Sequence, residues 1–444
     1  MENSVEKLIE KINFEKEKAI ENGIIRKEKP QKEISDREKY CKLPDNWRWI
    51  RLGDYCLKAT DYVASGSFAS IKENVNYYNT ENYAIMVKTA DFANNFTKNL
   101  TYTDESSYKF LSNSNLFGGE LILSNIGSIG KVFKVPYLNK PMTLASNTIM
   151  IKFTDDKLAD YMYYYFKSNY GQNAIKSISS GTSMLKFNKT QLKTLPIPIP
   201  SIEIQEKIVT ALDKAQHLID KKKEQIELLD ELVKSRFIEM FGDPVNNPKS
   251  FEILTIGDLT TDVKYGTSKS SSEGGKYPYL RMNNITYGGK LDLNDLKYID
   301  IDDDELEKCI VKRGDVLFNR TNSIELIGKT CIFELEEPMV IAGYIIRVRL
   351  KNNILPVYLS TFLNSSYGKT LLRGIAKGAV NQANINAQEL KSIKIHVPPI
   401  ELQNEFAEFV KKVDSIRSKM EASLSELEDN FNSLMQKAFK GELF

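Results

Sequence analysis

The chain has 444 residues, of which 41% are hydrophobic and 27% charged, so its length predicts two or more domains with separate cores. No apolar run approaches the ~20 residues of a membrane span, and the charged N-terminus is unlike a secretory signal, so we expect a cytoplasmic protein without a membrane partner. The net charge of +2 excludes a polybasic nucleic-acid binder, and any DNA contact has to come from local patches.

The first 42 residues form the first predicted element, an N-terminal helical segment. A mixed-charge helix is expected from Val5 to Ile25, with apolar residues such as Ile12 and Ala19 along one side. This segment has no counterpart later in the chain.

Beyond the N-terminal segment the sequence repeats itself. Four blocks recur in the same order, and such a match predicts a diverged tandem duplication. The pairs are "WRWIRLGDYCLKATDY" from Trp47 with "FEILTIGDLTTDVKYG" from Phe251, "GELILSNIGSIGKVFKV" from Gly119 with "GDVLFNRTNSIELIGKTCIF" from Gly314, "SNYG" ending at Gly171 with "SSYG" ending at Gly368, and "LKTLPIPIPSIEIQEKI" from Leu192 with "LKSIKIHVPPIELQNEF" from Leu390.

Each copy opens with a globular domain, named here domain 1 (43–200) and domain 2 (248–399). The segments "LILSNIG", "TIMIKF", "DVLFN" and "YIIRVRL" are typical of strands, and "DYMYYYFKSNYGQNAIK" and "VYLSTFLNSSYGKTLLRGI" of helices. The tyrosines from Tyr161 to Tyr165 are interpreted as the packed face of a helix rather than as a base-stacking platform. The predicted fold class is therefore α+β, with two tandem domains of mixed helices and strands.

Each copy closes with a long spacer helix, the first within 201–247 and the second within 400–444. Ser201 is an N-cap candidate, and Gly242 and Gly441 are expected to end the helices. Such seams are buried most simply against each other, so we expect an antiparallel coiled coil with pseudo-twofold repetition. The seam residues are Ile204, Ile208, Ala211, Ala215, Leu218, Ile226, Leu229 and Val233 in the first helix, and Leu402, Phe406, Phe409, Val413, Ile416, Met420, Leu424, Leu427, Phe431 and Leu434 in the second.

No catalytic or metal site is legible in the sequence. Pro398-Pro399 follows Val397 and does not match the Asn/Asp-Pro-Pro-aromatic loop of an adenine methyltransferase, and "IGKT" ending at Thr330 lacks the upstream glycine of a phosphate loop. Four cysteines without CxxC spacing and two histidines make a zinc site improbable. We expect no catalytic residue, no metal ligand and no cofactor in this chain.

Polar loops are the remaining candidates for function. Arg can pair with guanine and Asn or Gln with adenine, whereas Lys, Ser and Thr suit phosphates. Solvated loops often have this composition, but these loops recur at matching places in both copies with different side chains, which is expected if two different half-sites are read. The candidate DNA-binding residues are Lys88, Thr89, Asp91, Asn125, Ser128, Lys131, Ser183 and Lys186 in domain 1, and Lys264, Thr267, Ser268, Lys269, Arg281, Asn283, Asn284, Asn319, Arg320, Thr321, Asn322, Lys377, Asn381 and Gln382 in domain 2.

On these features the chain resembles the specificity subunit of a type I restriction-modification system. The resemblance rests on "LPDNWRWIRLGDYC", "YPYLRMNNI", the paired strands after Gly119 and Gly314, and the proline-to-helix phrases ending in Gln205 and Gln403. One departure is that "YAIMVKTADF" follows "YPYLRMNNI" only loosely, with Lys88 at the position of Arg281.

The resemblance implies that each domain reads one half of a bipartite, asymmetric site in double-stranded DNA, with the helices as a ruler. It also implies two methyltransferase subunits as partners, which form an N6-adenine methyltransferase with this chain, and restriction subunits that add cleavage. S-adenosylmethionine, ATP and magnesium would then belong to those partners.

Three alternatives stay open on the sequence. A specificity subunit of a non-translocating restriction system would share these domains. A coiled-coil scaffold with protein-binding ends belongs to another class, and loss of salt-dependent DNA binding would favour it. A self-contained enzyme would be indicated by methyl transfer or cleavage by the chain alone.

Overall fold

The computed structural model describes residues 4–182, 184–379 and 382–444. The chain forms two compact units, one of Met1–Asp220 with Ser425–Phe444 and the other of Lys221–Leu424. Each unit contains the globular domain of one repeat copy and has a hydrophobic core of its own. No helix in the described ranges is long and apolar enough to cross a membrane.

The first unit starts with a helix and continues with short strands and helices. The helices are α1 (Val5–Glu21), α2 (Leu52–Tyr55), α3 (Phe68–Asn74), α4 (Glu105–Phe110), α5 (Asp156–Lys167), α6 (Asn169–Ser177) and α7 (Lys189–Lys193). The strands are β1 (Arg48–Arg51), β2 (Lys58–Asp61), β3 (Ala84–Val87), β4 (Tyr102–Thr103), β5 (Asn115–Leu116), β6 (Leu121–Ser124), β7 (Val132–Lys134), β8 (Met142–Leu144), β9 (Thr148–Lys152) and β10 (Pro196–Ile199).

Two four-stranded sheets form the body of domain 1. Their strand orders are β2-β9-β6-β7 and β4-β3-β8-β5, and β3 runs parallel to β8. The segments "LILSNIG" and "TIMIKF" contain β6 and β9, so both strand predictions are confirmed. Tyr161 and Tyr165 are fully buried in α5, which confirms that the tyrosine run packs in the core.

The second unit follows α8 (Ile202–Phe241), which begins in the first unit. Its other helices are α9 (Asp303–Cys309), α10 (Pro356–Asn364), α11 (Ser366–Ile375), α12 (Ala387–Ser392) and α13 (Ile400–Lys440), the last ending in the first unit. The strands are β11 (Glu252–Thr255), β12 (Thr260–Tyr265), β13 (Tyr277–Leu280), β14 (Lys297–Ile299), β15 (Ile310–Val311), β16 (Val316–Asn319), β17 (Thr321–Asn322), β18 (Thr330–Ile332), β19 (Met339–Ile341), β20 (Ile345–Leu350), β21 (Lys377–Ala379), β22 (Gln382–Asn384) and β23 (Lys394–Val397).

The sheets of domain 2 repeat those of domain 1. Their orders are β12-β20-β16-β18 and β14-β13-β19-β15, and β13 runs parallel to β19 as β3 does to β8. The strands predicted from "DVLFN" and "YIIRVRL" are β16 and β20. The same strand orders and the same parallel pair confirm the α+β fold and the duplication. Domain 2 also has a three-stranded sheet, β17-β22-β21.

A two-stranded ribbon closes each domain. The opening block and the proline phrase of each copy pair antiparallel, with Arg48 opposite Ile199 in β1–β10 and Glu252 opposite Val397 in β11–β23. Pro196 and Pro198 have no N–H group to donate to a neighbouring strand. They are tolerated because each strand of a two-stranded ribbon has one edge without a hydrogen-bonded neighbour. The first and last strands of each domain are therefore neighbours.

A buried glutamine fixes the start of each long helix. Gln205 Nε2 donates to the Pro200 carbonyl at 3.0 Å, and its Oε1 accepts from the Tyr55 hydroxyl at 2.8 Å. Gln403 Nε2 likewise donates to the Pro398 carbonyl at 2.8 Å. Both side chains are completely buried, so these bonds satisfy their amides without water. The recurring glutamine thus joins each proline phrase to its helix.

The "SNYG" and "SSYG" blocks split each predicted helical segment into two helices. Ser168 ends α5 and caps α6, its Oγ accepting from Gly171 N at 3.2 Å. Ser365 does the same between α10 and α11 for Gly368 N at 3.0 Å. A Cβ on Gly171 would lie 2.1 Å from the Tyr165 carbonyl oxygen, so the close approach of the two helices requires glycine.

In the second unit α8 and α13 pack antiparallel. The Phe237 ring meets Phe406 at 5.5 Å between centroids, and Arg417 pairs with Asp230. Later residues of α13 therefore meet earlier residues of α8, as predicted. The helices end immediately before Gly242 and Gly441, which confirms these two stops.

Two seam assignments are wrong. Leu218 and Ile416 are 54% and 50% exposed, whereas the neighbouring Ile219 and Arg417 are buried at 3% and 6%. Arg417 is accepted in the seam because its guanidinium reaches Asp230 and also donates to the Ile226 carbonyl. The seam is shifted by one residue at both places.

Candidate nucleic-acid interface

Polar residues of domain 1 surround a cavity of about 490 Å³. The cavity lies at the ends of β3 and β6 and beside the segment that leads into β9. Among the described residues its lining contains two lysines and no carboxylate. Such a lining favours an anion or the acceptor-rich edge of a base. The lining residues are Tyr77, Met86, Lys88, Thr89, Thr101, Ser124, Ile126, Ser128, Lys131, Ala145, Ser146, Asn147 and Thr148. Four predicted residues, Lys88, Thr89, Ser128 and Lys131, thus come together.

Lys88 is held in place at this cavity. Its Nζ donates to Thr101 Oγ1 at 2.8 Å, and its backbone N donates to Asp91 Oδ2 at 2.7 Å. Asp91 is 1% exposed, and burial raises the pKa of its carboxyl. Asp91 therefore caps the 3-10 turn Thr89–Asn94 and does not face the surface.

A second group of predicted residues in domain 1 contains Asn125 and Lys186. Asn125 Nδ2 donates to the Phe187 carbonyl at 3.0 Å, while its buried Oδ1 has no partner in the described chain. Lys186 is exposed on a backbone bridge with Ser180 and Ile126. Ser183, between them in sequence, lies outside the described residues.

In domain 2 the sheet β17-β22-β21 brings together two predicted segments. Thr321 pairs with Asn384 in β17–β22, and Lys377 pairs with Asn384 in β21–β22. Gln382 and Lys377 are exposed on this sheet. The loops "LFNRTNS" and "KGAVNQANIN" therefore form one polar surface, named here the β17 surface. Asn381 lies outside the described residues.

Arg320 is the arginine of the β17 surface. Its guanidinium carbon lies 5.0 Å from the centroid of the Tyr265 ring, a cation–π arrangement. The Tyr265 hydroxyl accepts from Ala387 N at 2.7 Å, which fixes the ring. A planar guanidinium held on a fixed ring suits two-point recognition of a guanine edge.

Unpartnered buried polar atoms concentrate at the same surface. Asn319 Nδ2, Arg320 Nε, Thr321 Oγ1 and Asn384 Oδ1 have no hydrogen-bond partner in the described chain. Beside them Lys377 pairs with Glu389 at 2.6 Å and lowers the pKa of its carboxyl. These atoms lie beneath the exposed side chains of the β17 surface.

Arg281 follows β13 as Lys88 follows β3. Its backbone N donates to Asn284 Oδ1 at 2.8 Å, the same cap that Asp91 provides in domain 1. The guanidinium pairs with Asp295 at 2.7 Å. Asn284 is buried, whereas Asn283 is exposed. Lys88 and Arg281 are thus structural counterparts.

The loop after β12 is partly engaged within the fold. Lys269 pairs with Asp302 at 2.7 Å and Glu305 at 3.2 Å, and buried Thr267 donates to the same glutamate. Lys264 and Ser268 are exposed.

Five predicted residues need correction, since their side chains are buried. Asp91, Thr267 and Asn284 make hydrogen bonds within the fold, and Asn319 and Thr321 lie beneath the β17 surface. A capping side chain cannot also reach a groove, so the first three are scaffold residues.

Three residues at these surfaces were missed by sequence reasoning. Tyr77 and Asn147 line the cavity of domain 1, and Tyr265 supports Arg320 in domain 2. Tyr265 follows the candidate Lys264 directly, and an aromatic residue beside a lysine is a usable signal. Tyr77 and Asn147 lie outside the candidate loops in sequence, so the composition of the loops could not identify them.

The described residues contain no group of three or more His, Cys, Asp or Glu that could hold a metal ion. All four cysteines are unpaired, and burial raises the pKa of the Cys331 thiol to about 12. These thiols are therefore protonated near neutral pH.

Comparison with known proteins agrees with this organisation. A family model described as "Type I restriction modification DNA specificity domain" matches residues 44–228 and 248–429, which together make up most of the chain. The type I restriction enzyme EcoKI specificity subunit of Escherichia coli K12 is 24% identical over 73% of this chain and 74% of its own. The MjaVIII specificity subunit of Methanocaldococcus jannaschii is 23% identical over 90% of this chain and 94% of its own.

Among solved structures, a chain from a study of complex assembly and conformational transition in the type I R-M system matches with a TM-score of 0.57. It is 16% identical, and the match covers 90% of this chain and all of the other, which supports the fold. With two copies of the specificity domain in one chain, the protein belongs to the family of type I restriction-modification DNA specificity subunits.

Proposed function

We propose that domain 1 and domain 2 each read one half of a bipartite, asymmetric sequence in double-stranded DNA. The observation that carries this proposal is the β17 surface, where the Arg320 guanidinium lies on the Tyr265 ring and the side chains of Lys377 and Gln382 are exposed. Domain 1 offers the cavity with Lys88 and Lys131 at a different position. Different polar side chains on one repeated framework are what two unlike half-sites require.

The proposed contact residues are those on exposed or partly exposed loops. Lysines and hydroxyls serve phosphates, and arginine and amide side chains serve base edges. They are Lys88, Thr89, Asn125, Ser128, Lys131 and Lys186 in domain 1, and Lys264, Tyr265, Ser268, Lys269, Arg281, Asn283, Arg320, Asn322, Lys377 and Gln382 in domain 2.

The chain is a non-catalytic recognition subunit, and we propose that two methyltransferase subunits supply S-adenosylmethionine chemistry. The internal repeat supports the number of two methyltransferase subunits. The ribbon β1–β10 with Gln205 resembles the ribbon β11–β23 with Gln403, and two similar regions suit two copies of one partner. Restriction subunits that use ATP and magnesium would complete the assembly, in the cytoplasm.

The test is co-expression with the methyltransferase that is encoded beside this chain, in a host without DNA methylation. N6-methyladenine is then mapped across the genome. We expect one asymmetric motif in two parts with a fixed gap. A host that expresses the methyltransferase alone is the control and should show no such motif. A continuous motif, or no methylation beyond the control, would contradict the proposal.

A further inference from the structure

Three cationic side chains meet beside Tyr287 in domain 2. Lys369 on α11 and Lys329 before β18 are only 6% and 8% exposed, while Arg373 on α11 is exposed. Lys369 Nζ lies 5.4 Å from the centroid of the Tyr287 ring, and Arg373 Nη2 donates to the Tyr287 hydroxyl at 3.4 Å. These four residues are named here the Tyr287 cluster.

Neutral acceptors hold the two buried ammonium groups. Lys369 Nζ donates to the Gly328 carbonyl and to Asn364 Oδ1, both at 2.9 Å, and Lys329 Nζ donates to the Met282 carbonyl at 2.9 Å. Within the described residues no ion pair joins a cation of the cluster to a carboxylate. Buried charge is costly unless it is compensated, so the cluster is short of negative charge.

The protonation of Lys369 reflects this imbalance. Burial, followed by the Arg373 and Lys329 charges, lowers the pKa of Lys369 to about 8. Burial also lowers the pKa of Lys329. The charged groups that face Lys369 are thus both cations, and a bound anion would favour its protonated form.

Domain 1 shows that the fold does not need this charge. Gln172 occupies the equivalent place on α6 and donates through Nε2 to the Gly130 carbonyl at 2.9 Å, as Lys369 does to Gly328. A neutral amide therefore joins the helix to the loop equally well. The positive charge of Lys369 is an addition specific to domain 2.

We propose that the Tyr287 cluster is an anion subsite that binds one phosphodiester group of the DNA backbone. Arg373 and the Tyr287 hydroxyl contact the phosphate, and Lys329 and Lys369 stabilise it from behind. This inference rests on the proposed function and deepens it, since phosphate contacts orient a recognition domain on the duplex. Domain 1, with Gln172, lacks the equivalent charge.

The subsite makes DNA binding depend on pH. In the free chain Lys369 loses its proton as the pH rises through about 8. Because the bound phosphate favours the protonated form, binding above this pH requires uptake of a proton. The affinity for DNA therefore falls between pH 7 and pH 9. The Lys369→Gln variant should lack the part of this fall that is due to Lys369.

The experiment uses the full chain in complex with its methyltransferase and a duplex that carries the mapped bipartite sequence. Dissociation constants are measured over a range of salt concentrations at pH 7 and pH 9. Arg373→Gln is expected to reduce the slope of log affinity against log salt by about 0.9, the value for one phosphate contact. Lys369→Gln is expected to weaken binding at pH 7 by about threefold to tenfold and to flatten the pH response.

Lys308→Gln is the matched control, because it removes an exposed lysine charge from the same domain. It should leave the salt slope and the pH response unchanged. Arg373 is at the surface, so its variant keeps the test valid even if Lys369→Gln unfolds.

The outcomes separate the two proposals. A wild-type complex that does not prefer the mapped duplex over unrelated DNA would overturn the proposed function. A wild-type complex that prefers it, together with Arg373→Gln and Lys369→Gln variants indistinguishable from wild type, would overturn the anion subsite alone.

Discussion

Arg320 is a proposed DNA contact with well-defined geometry, because its guanidinium carbon lies 5.0 Å from the centroid of the Tyr265 ring. We expect Arg320→Ala to relax or abolish reading of the half-site bound by domain 2 only. The loss of a two-point base contact should cost about 1–3 kcal/mol of discrimination at one base pair. Mapping of methylated adenines in a host that expresses the variant measures this directly.

Arg313→Ala is the control for this change, since Arg313 is an exposed arginine of the same domain that pairs with Glu336. Its motif should be that of the wild type. Equal loss of both half-sites in Arg320→Ala would show a folding defect instead.

At the residue scale the sequence separates polar caps from polar contacts poorly. Asp91 and Asn284 stand in loops of the right composition, yet each folds back on a backbone N–H three residues earlier. The spacing of a cap is visible in the sequence, but its burial depends on strands that join the same sheet from elsewhere. Composition therefore selected polar loops as candidates but could not distinguish exposed from buried side chains within them.

At the scale of elements, the serine-glycine break is the feature that most constrains the helices. A Cβ on Gly368 would lie 2.2 Å from the Phe362 carbonyl oxygen. We expect Gly368→Ala to lower the free energy of unfolding by about 1–3 kcal/mol, because α10 and α11 must then separate. Urea denaturation of the purified chain measures this change.

Gly374→Ala is the matched control within the same helix. A Cβ at Gly374 meets no atom within 4 Å, so this change should be neutral or stabilise by up to about 1 kcal/mol. Equal destabilisation by both variants would contradict the role given to Gly368, because alanine is the better helix former and a Cβ at Gly374 meets no close neighbour.

The helices also show where periodic patterns stop being informative. Leu218 and Ile219 are adjacent apolar residues, and steps of three and four allow either to lie in the seam. Arg417 is buried because of Asp230, a partner remote in sequence. A charged residue is assigned to the surface by pattern alone, so this position was not predictable.

At the scale of the whole molecule, α8 and α13 contain 40 and 41 residues, or about 60 Å at 1.5 Å per residue. If the helices set the gap, deletion of residues 219–225 together with 418–424 removes one heptad from each. Arg417, which directly precedes the second segment, contacts Ile226 and Asp230 just after the first, so the two segments start from facing positions. The gap in the methylated motif should shorten by about three base pairs, because seven residues span roughly 10 Å.

Deletion of 219–225 alone is the control, because it destroys the register and should abolish specific methylation. An unchanged gap in the double deletion would show that the helices do not act as a ruler. If the double deletion folds but loses methylation, the helices set the gap and the complex does not function with a shorter gap.

The order of the repeated blocks was enough to predict the duplication, the α+β class and the long antiparallel helices. It was not enough to predict the two sheets of each domain. Their orders β2-β9-β6-β7 and β4-β3-β8-β5 join strands that are far apart in sequence. Pairing of this kind follows from the packing of the complete domain, which no local pattern contains.

The closing ribbons have a consequence for how such proteins change. Because β1 pairs with β10 and β11 with β23, the chain enters and leaves each domain at neighbouring points. A domain with adjacent ends can be exchanged for another by two recombination events, and the frame that receives it keeps its geometry. Under the proposed function, exchange of one domain would change one half of the target sequence and leave the other half unchanged.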